Sequence, residues 1–136
     1  MPRENNSMSN AELRNFLGAL EWAALGTLSA EGAPAPCLVP IVVQGDRVYF
    51  SAPESAAANL ARDARCCLCA DVFPSYYEIK GATVHGGAAR INASPGVADE
   101  LIRRAKTHGL GVGPIYTLPL LQDCFGFDFG KIERRF

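Results

Sequence analysis

The chain lacks a long apolar run and has almost no net charge. Its 136 residues carry a formal net charge of −1, with 49% hydrophobic and 20% charged residues. A membrane-spanning helix needs about 20 consecutive apolar residues, and a nucleic-acid surface needs an excess of basic residues, so we expect neither partner. Segment 1–10 is polar and lacks the apolar core of a signal peptide. We expect it to be a disordered tail ahead of one domain, 11–136.

The five cysteines do not form a recognisable disulfide or metal framework. Because no secretion signal accompanies them, they predict free thiols in a reducing cytoplasm. Cys66 and Cys69 have C-x-x-C spacing, but residues three apart in a strand point to opposite faces and do not converge on one ion. We therefore expect no metal site.

Histidine is scarce, and only His85 and His108 are present. His85, beside Gly86-Gly87, is a candidate to line a pocket or to bind haem iron, although a lone strand histidine is more often a surface residue. His108 closes a predicted helix, where a cation is favoured. No Ser-His-Asp arrangement is apparent, so hydrolytic chemistry is not indicated.

Hydrophobic periodicity predicts an alternation of short strands with three helices. The strands are joined by tight turns, which indicates antiparallel pairing and a mainly β (α+β) fold, a small closed or half-closed barrel of about six strands. Pro40 lacks a backbone donor, which places it at an edge, a bulge or an opening of the sheet. The predicted helices are 10–22, a helix running to about residue 62 after a Ser51/Glu54 capping box, and one from residues 94–95 to Gly109; the strands are 25–29, 37–43, 47–51, 66–73, 78–91 with a bend at Gly86-Gly87, and 124–134; loops cover 74–77 and 109–119.

The stretch YFSAPESAAANL, residues 49–60, joins a strand directly to a helix. The start of a helix carries about half a positive charge and free N–H groups, so it binds phosphate readily. No Lys or Arg occurs in this stretch, and Glu54 competes for the same amide groups. The pattern alone fits an anion site or a simple connection.

Three stretches resemble the FMN-binding split β-barrel proteins of the pyridoxamine 5′-phosphate oxidase-like family. They are AALGTLSAEGAPAPCLVPIVV, GDRVYFSAPESAAANLARDARCCL and EIKGATVHGGAARI, which together cover roughly residues 13–91. The resemblance implies an antiparallel split β-barrel with flanking short helices. It also implies a homodimer with two FMN sites at the interface, each lined by both chains.

The same resemblance assigns the cofactor-binding residues. Val39 and Pro40 lie on the strand along which the flavin ring rests. Ser51 matches the Ser/Thr at the end of the next strand, and Ala52 follows it in the turn. Ser55 matches the hydroxyl residue that begins the helix, and Asn59 begins the family's Asn-Leu pair in that helix.

This chain departs from the family at the positions that usually hold the flavin phosphate. Cys37, Val42 and Ala56 or Ala57 stand where basic residues are common. Losing one charge-assisted hydrogen bond costs roughly 1.5–3 kcal/mol, which weakens binding without abolishing it. Arg62, Arg65, Arg90 or a residue of the second chain are the available substitutes.

We therefore predict an FMN-binding homodimer with flavin-dependent redox activity on a small molecule. No residue is assigned as a catalytic acid or base. Two alternatives stay open: a haem-binding or haem-processing barrel that uses His85 or a cysteine, and a non-enzymatic barrel that has lost its flavin. A deazaflavin in place of FMN is not distinguished.

Overall fold

Antiparallel strands form most of this chain in a computed structural model that describes residues 6–72 and 79–133. Eight strands and four helices occur in these two ranges, and three of the helices are nine residues or longer. The elements, in chain order, are α1 (Asn10–Gly18), β1 (Trp22–Leu28), β2 (Pro34–Gln44), β3 (Arg47–Ser51), α2 (Glu54–Arg62), β4 (Arg65–Val72), β5 (Lys80–Gly87), β6 (Ala89–Ile91), α3 (Pro95–His108), β7 (Ile115–Pro119), β8 (Cys124–Asp128) and α4 (Gly130–Glu133).

The eight strands form one curled sheet in the order β6-β7-β3-β2-β1-β4-β5-β8. β5 leads into β6 through the single residue Ala88, although the two strands lie toward opposite ends of this order. The sheet must therefore curl until its ends approach each other. Gly86 marks this approach, since a Cβ at Gly86 would lie 3.3 Å from the Leu118 side chain of β7.

The barrel is split at β2, which changes partner at Pro40. Residues Pro34–Pro40 pair with β1, whereas Ile41–Gln44 pair with β3. Because Pro40 has no N–H to contribute, it is suited to the point where the two strands diverge. Of the three placements predicted for Pro40, an edge, a bulge or an opening of the sheet, the structure shows the opening.

The core lies inside the curled sheet and is closed by two helices. Alternate residues of the strands point inward, among them Leu25, Val39 and Phe50, all with 0% of their surface exposed. α1 contributes Leu13 and Leu17 to the same cluster, and α2 contributes two more residues, Ala56 and Leu60. α3 packs outside, against β2 and β3.

The predicted antiparallel split barrel is confirmed, with eight strands in place of about six. β3 and α3 have nearly the predicted bounds, and Gly109 ends α3 in the left-handed conformation with φ of 66°. The predicted bend at Gly86-Gly87 is the place where β5 ends and the chain crosses to β6.

The extents of the first helix, of the loop 109–119 and of the last strand were predicted wrongly. The first helix ends at Gly18 because Trp22 already pairs with β2. The supposed loop 109–119 contains β7, whose Ile-Tyr-Thr-Leu sequence favours a strand beside β3. The last strand ends at Asp128 and gives way to the short helix α4.

The N-terminal segment is attached to the barrel from Asn6 onward. Ser7 forms a bridge with Phe127, and the Met8 amide donates to the Gly126 carbonyl at 2.8 Å. Residues 1–5 of the expected tail, and the predicted loop 74–77, lie outside the described residues. No helix in the described ranges has the length and apolar character required to cross a membrane.

Candidate functional site

Ser51 ends β3 at the predicted phosphate site, but its hydroxyl is engaged within the chain. It is 3% exposed. The hydroxyl donates to the Gly113 carbonyl at 3.0 Å and accepts from the Gly113 amide at 2.8 Å. Since a serine hydroxyl has one proton, Ser51 can donate to a phosphate only after the bond to Gly113 breaks. Its role as a phosphate ligand stays a prediction.

The residues that engage Ser51 belong to the segment after α3, which we call the junction loop (residues 109–114). A Cβ at Gly113 would lie 1.9 Å from the Ala52 carbonyl oxygen, so only glycine permits this contact. The Ala52 amide also donates to the Pro114 carbonyl at 3.0 Å. The junction loop thus covers Ala52 and the connection between β3 and α2.

The start of α2 has no side-chain cap, contrary to the predicted Ser51/Glu54 capping box. Pro53 is the N-cap residue, and no side chain bonds the first-turn amides. The prediction was wrong because Ser51 lies two residues before the cap and its hydroxyl bonds Gly113 instead. Glu54 and Ser55 are both exposed in the first turn. An uncapped helix start leaves N–H groups able to bind an anion.

Asn59 has a structural partner inside the barrel. Its side-chain amide donates to the Thr27 hydroxyl of β1 at 3.0 Å, and Thr27 in turn donates to the Ala35 carbonyl. Its side-chain oxygen accepts a hydrogen bond from Arg62. These contacts attach α2 to the β1–β2 ladder at the pair Thr27 and Ala35.

Val39 and Pro40 are both fully buried at this divergence. Val39 belongs to the core, so only its backbone faces the edge of β2 that β3 has left. Phe50 is the partner of Ile41, which places Ser51 beside Pro40 as the strands separate. The structure therefore brings Pro40, Ser51 and Ala52 together, while Ser55 lies exposed on the helix.

Of the three arginines considered as substitutes for the missing cations, Arg62 and Arg65 are engaged within the chain. Arg65 makes a bidentate contact with Asp63, with Nη2 2.6 Å from Oδ2. Hydrogen bonds from Arg65 lower the pKa of Asp63 to about 2. Arg62 is bound to Asn59, and Arg90 is exposed on β6. Cys37 supplies no positive charge, and burial raises the pKa of its thiol, which favours the neutral form.

An apolar cleft of about 340 Å³ opens on the outer face of β1, β2 and β4. Trp22 and Leu38 are 44% and 48% exposed beside it. Ala24 and Cys69, which pair across β1 and β4, also line it. A flat apolar ring or a second protein surface fits such a cleft.

Comparison with protein families identifies this architecture. The family model described as pyridoxamine 5′-phosphate oxidase matches residues 9–112. The chain belongs to the pyridoxamine 5′-phosphate oxidase family. The match extends beyond residues 13–91, to α3 and most of the junction loop. No curated protein matches the chain.

Solved structures share the split-barrel fold of this family at low sequence identity. A conserved hypothetical protein, Rv2991 of Mycobacterium tuberculosis, has a TM-score of 0.78 at 17% identity and covers 98% of this chain and 93% of its own. A FAD-binding protein of Mesorhizobium loti has a TM-score of 0.70 at 16% identity, with 88% and 93% covered. A FAD and haem binding protein of Mycobacterium smegmatis has a TM-score of 0.70 at 16% identity, with 91% and 73% covered.

Sequence reasoning missed two features of this family member. The contact of Gly113 with Ser51 was not predicted, because the residues are 62 positions apart and glycines in a connection have no pattern that names a partner. The outer cleft was not predicted either. Its signal was the alternation of Trp22 and Ala24 along β1, which places both side chains on one face.

Proposed function

We propose that this protein binds flavin mononucleotide as a homodimer and uses it for electron transfer with a small molecule. The observation that carries the proposal is the uncapped start of α2, with Ser55 exposed, next to the open edge of β2. Family membership supports a flavin site in this region. The flavin, once bound, supplies the redox chemistry, and the protein supplies binding and orientation.

The residues at the two ends of this site suit the two ends of FMN to different degrees. The apolar edge of β2 and the outer cleft beside Leu38 suit the ring. The phosphate would bind the first-turn amides of α2 and the Ser55 hydroxyl, without help from a lysine or an arginine in residues 49–60. The residues present can hold FMN, and they suit the flavin ring better than the phosphate.

The homodimer is proposed from the exposed apolar side chains on the outer face. Trp22 and Leu38 are large, nearly half exposed and adjacent to one cleft. A second copy would shield this surface from water and would enclose the ring from the side that one chain leaves open. Light scattering at micromolar concentration checks the dimer, and a monomer would contradict it.

The flavin is tested by adding the missing cation. The family's common lysine corresponds to Ala56 or Ala57 of α2; Ala56 is buried in the core, so the half-buried Ala57 is the one to replace. Ala57→Lys should tighten FMN binding by about 10- to 100-fold through one charge-assisted hydrogen bond. Riboflavin, which lacks the phosphate, should bind the two proteins equally. Ala58→Lys, at the exposed neighbouring position, is the matched control for charge alone.

Isothermal titration and the visible spectrum of the purified protein give the result. Flavin absorption bands, or FMN titration with the stated response to Ala57→Lys, support the proposal. If neither the natural chain nor the Ala57→Lys variant binds FMN, the proposal fails. If Ala58→Lys tightens FMN binding as much as Ala57→Lys does, the effect is one of charge alone and the phosphate does not bind at the start of α2.

FAD is a second candidate because similar structures from Mesorhizobium loti and Mycobacterium smegmatis are described as binding it. Its diphosphate carries less charge on each phosphate than the FMN monoester, which suits a site without cations. Titration with FAD beside FMN separates the two. The same spectrum tests haem, since His85 is exposed on β5 and a Soret band would favour that alternative.

A further inference from the structure

Cys67 and Cys69 lie side by side on the outer face of β4. The C-x-x-C pattern concerns a different pair, Cys66 and Cys69. Cys67 and Cys69 are two residues apart, so both side chains point to the same face of the strand. Cys66 points the other way, into the core. All three are free thiols, and Cys69 is exposed.

The sulfur of Cys67 is held in a defined position between two neighbouring strands. Cys67 pairs with Gly26 of β1 and with His85 of β5. A Cβ at Gly26 would lie 2.9 Å from Cys67 Sγ, so the missing side chain of Gly26 makes room for the sulfur.

Both thiols open into clefts on this face. Cys67 lines a cleft of about 260 Å³ together with Leu28 and Pro34. Cys69 lines the separate cleft of about 340 Å³ beside Trp22. Each sulfur is therefore next to space for a ligand, and the walls of that space are largely apolar.

We propose that Cys67 and Cys69 form a dithiol site for a trivalent arsenical with an apolar substituent. In the reaction of an arsenic(III) dihydroxide with two thiols, two As–O bonds break and two As–S bonds form. The two thiol protons leave with the hydroxyl groups as two molecules of water. Arsenic stays in the +3 state, so neither an oxidant nor a reductant is needed.

The geometry favours a bridged pair over a direct disulfide. Two residues along a strand span roughly 6.6 Å, which is at the upper end of the Cα separations that disulfides tolerate. One arsenic atom between the sulfurs removes that constraint. Burial, with the neighbouring Cys69 thiol, also raises the pKa of Cys67. A protonated thiol disfavours thiolate redox chemistry but takes part in the condensation that releases water.

Phenylarsine oxide is the probe for this site. We expect the native protein to take up one molecule per chain, seen as one adduct by intact mass spectrometry. Two of the five thiols should become unreactive toward a thiol reagent, and 2,3-dimercaptopropanol should restore them. Flavin is not needed, and the phenyl group can occupy the cleft beside Cys67, which neither Trp22 nor Leu38 of the proposed dimer surface lines. Light scattering on the same sample reports the oligomeric state, so failure of the dimer and failure of the dithiol site are distinguished.

Serine variants test which thiols are bridged. Cys67→Ser and Cys69→Ser should each weaken binding by about 100-fold or more. With one thiol left at the site, arsenic forms a single As–S bond and the advantage of closing a second As–S bond within the same chain is lost. Cys124→Ser, on β8, should bind as the natural chain does. Circular dichroism checks that each variant is folded. The proposal is overturned if the native protein forms no adduct, or if Cys67→Ser or Cys69→Ser keeps the original affinity.

Discussion

Replacing Ser51 by alanine should destabilise the protein before it affects any ligand. The hydroxyl makes two hydrogen bonds to Gly113, at 3.0 and 2.8 Å, from a residue that is 3% exposed. Losing a bond that leaves a buried partner unsatisfied costs about 1–3 kcal/mol. Gly113 itself is exposed, so water can reach part of the freed backbone. The total should therefore stay near roughly 1–3 kcal/mol for the two bonds together.

Thermal unfolding followed by circular dichroism measures this loss. For a domain of this size, 1 kcal/mol shifts the melting temperature by about 4 °C, so Ser51→Ala should melt roughly 4–12 °C lower. Ser55→Ala is the matched control, because Ser55 is an exposed serine in the next element. It should change the melting temperature little.

The two serines should also differ toward FMN. If the phosphate binds the start of α2, Ser55→Ala should weaken FMN binding while Ser51→Ala should not, provided that titration is carried out below the melting transition. An unchanged melting temperature for Ser51→Ala would refute the contact with Gly113. Loss of FMN binding in Ser51→Ala alone would support Ser51, and not Ser55, as the phosphate ligand.

Three further changes test the parts of the fold around the site. Gly113→Ala should cost more than about 2 kcal/mol, because its Cβ would lie 1.9 Å from a backbone oxygen, whereas Gly111→Ala, with 3.8 Å to its nearest neighbour, should be nearly neutral by the same melting assay. Hydrogen bonds from its two arginine partners lower the pKa of Glu100 from 4.5 to about 2, so the ionised form stabilises the fold fully above pH 4.5 and this contribution is lost as pH falls through about 2. Glu100→Gln should therefore be less stable in urea at pH 7, and a difference that persists undiminished at pH 2 would contradict this reasoning. Leu38→Asp should weaken the proposed dimer by roughly 100-fold or more in light scattering, while Val112→Asp, an equally exposed position on the junction loop, should leave it unchanged.

The fold was largely predictable because most of its signals are local. Alternating apolar residues, tight turns and the Ser94-Pro95 start of α3 act within a few positions of the sequence. One residue, Pro40, was enough to predict an irregular point in the sheet, since a proline without an N–H does not suit a continuous central ladder; that this point is an opening came from the structure. β7 was missed because its five residues stand directly after a glycine-rich connection, and it becomes a strand by pairing with β3.

The candidate site was less predictable because its contacts join distant parts of the chain. Ser51 has the local pattern of a capping residue, yet its hydroxyl is hydrogen-bonded to Gly113, which is 62 positions away in the sequence. Asn59 matches a family motif, and its amide is used to attach α2 to Thr27 of β1. Residue identity indicated the region in both cases, while tertiary packing decided which hydrogen-bonding groups remain available there.

The phosphate should contribute little to the affinity of this protein for FMN, and the flavin ring should contribute most of it. A phosphate dianion at the start of α2 would meet about half a positive charge from the helix and the exposed Ser55, opposed by the exposed Glu54. The helix contribution is typically about 0.3–1 kcal/mol at an exposed site, so FMN should bind less than about 10-fold more tightly than riboflavin. Parallel titrations with the two flavins measure this ratio directly. A ratio above about 100-fold would mean that a basic residue, from this chain or from a second copy of it, does reach the phosphate.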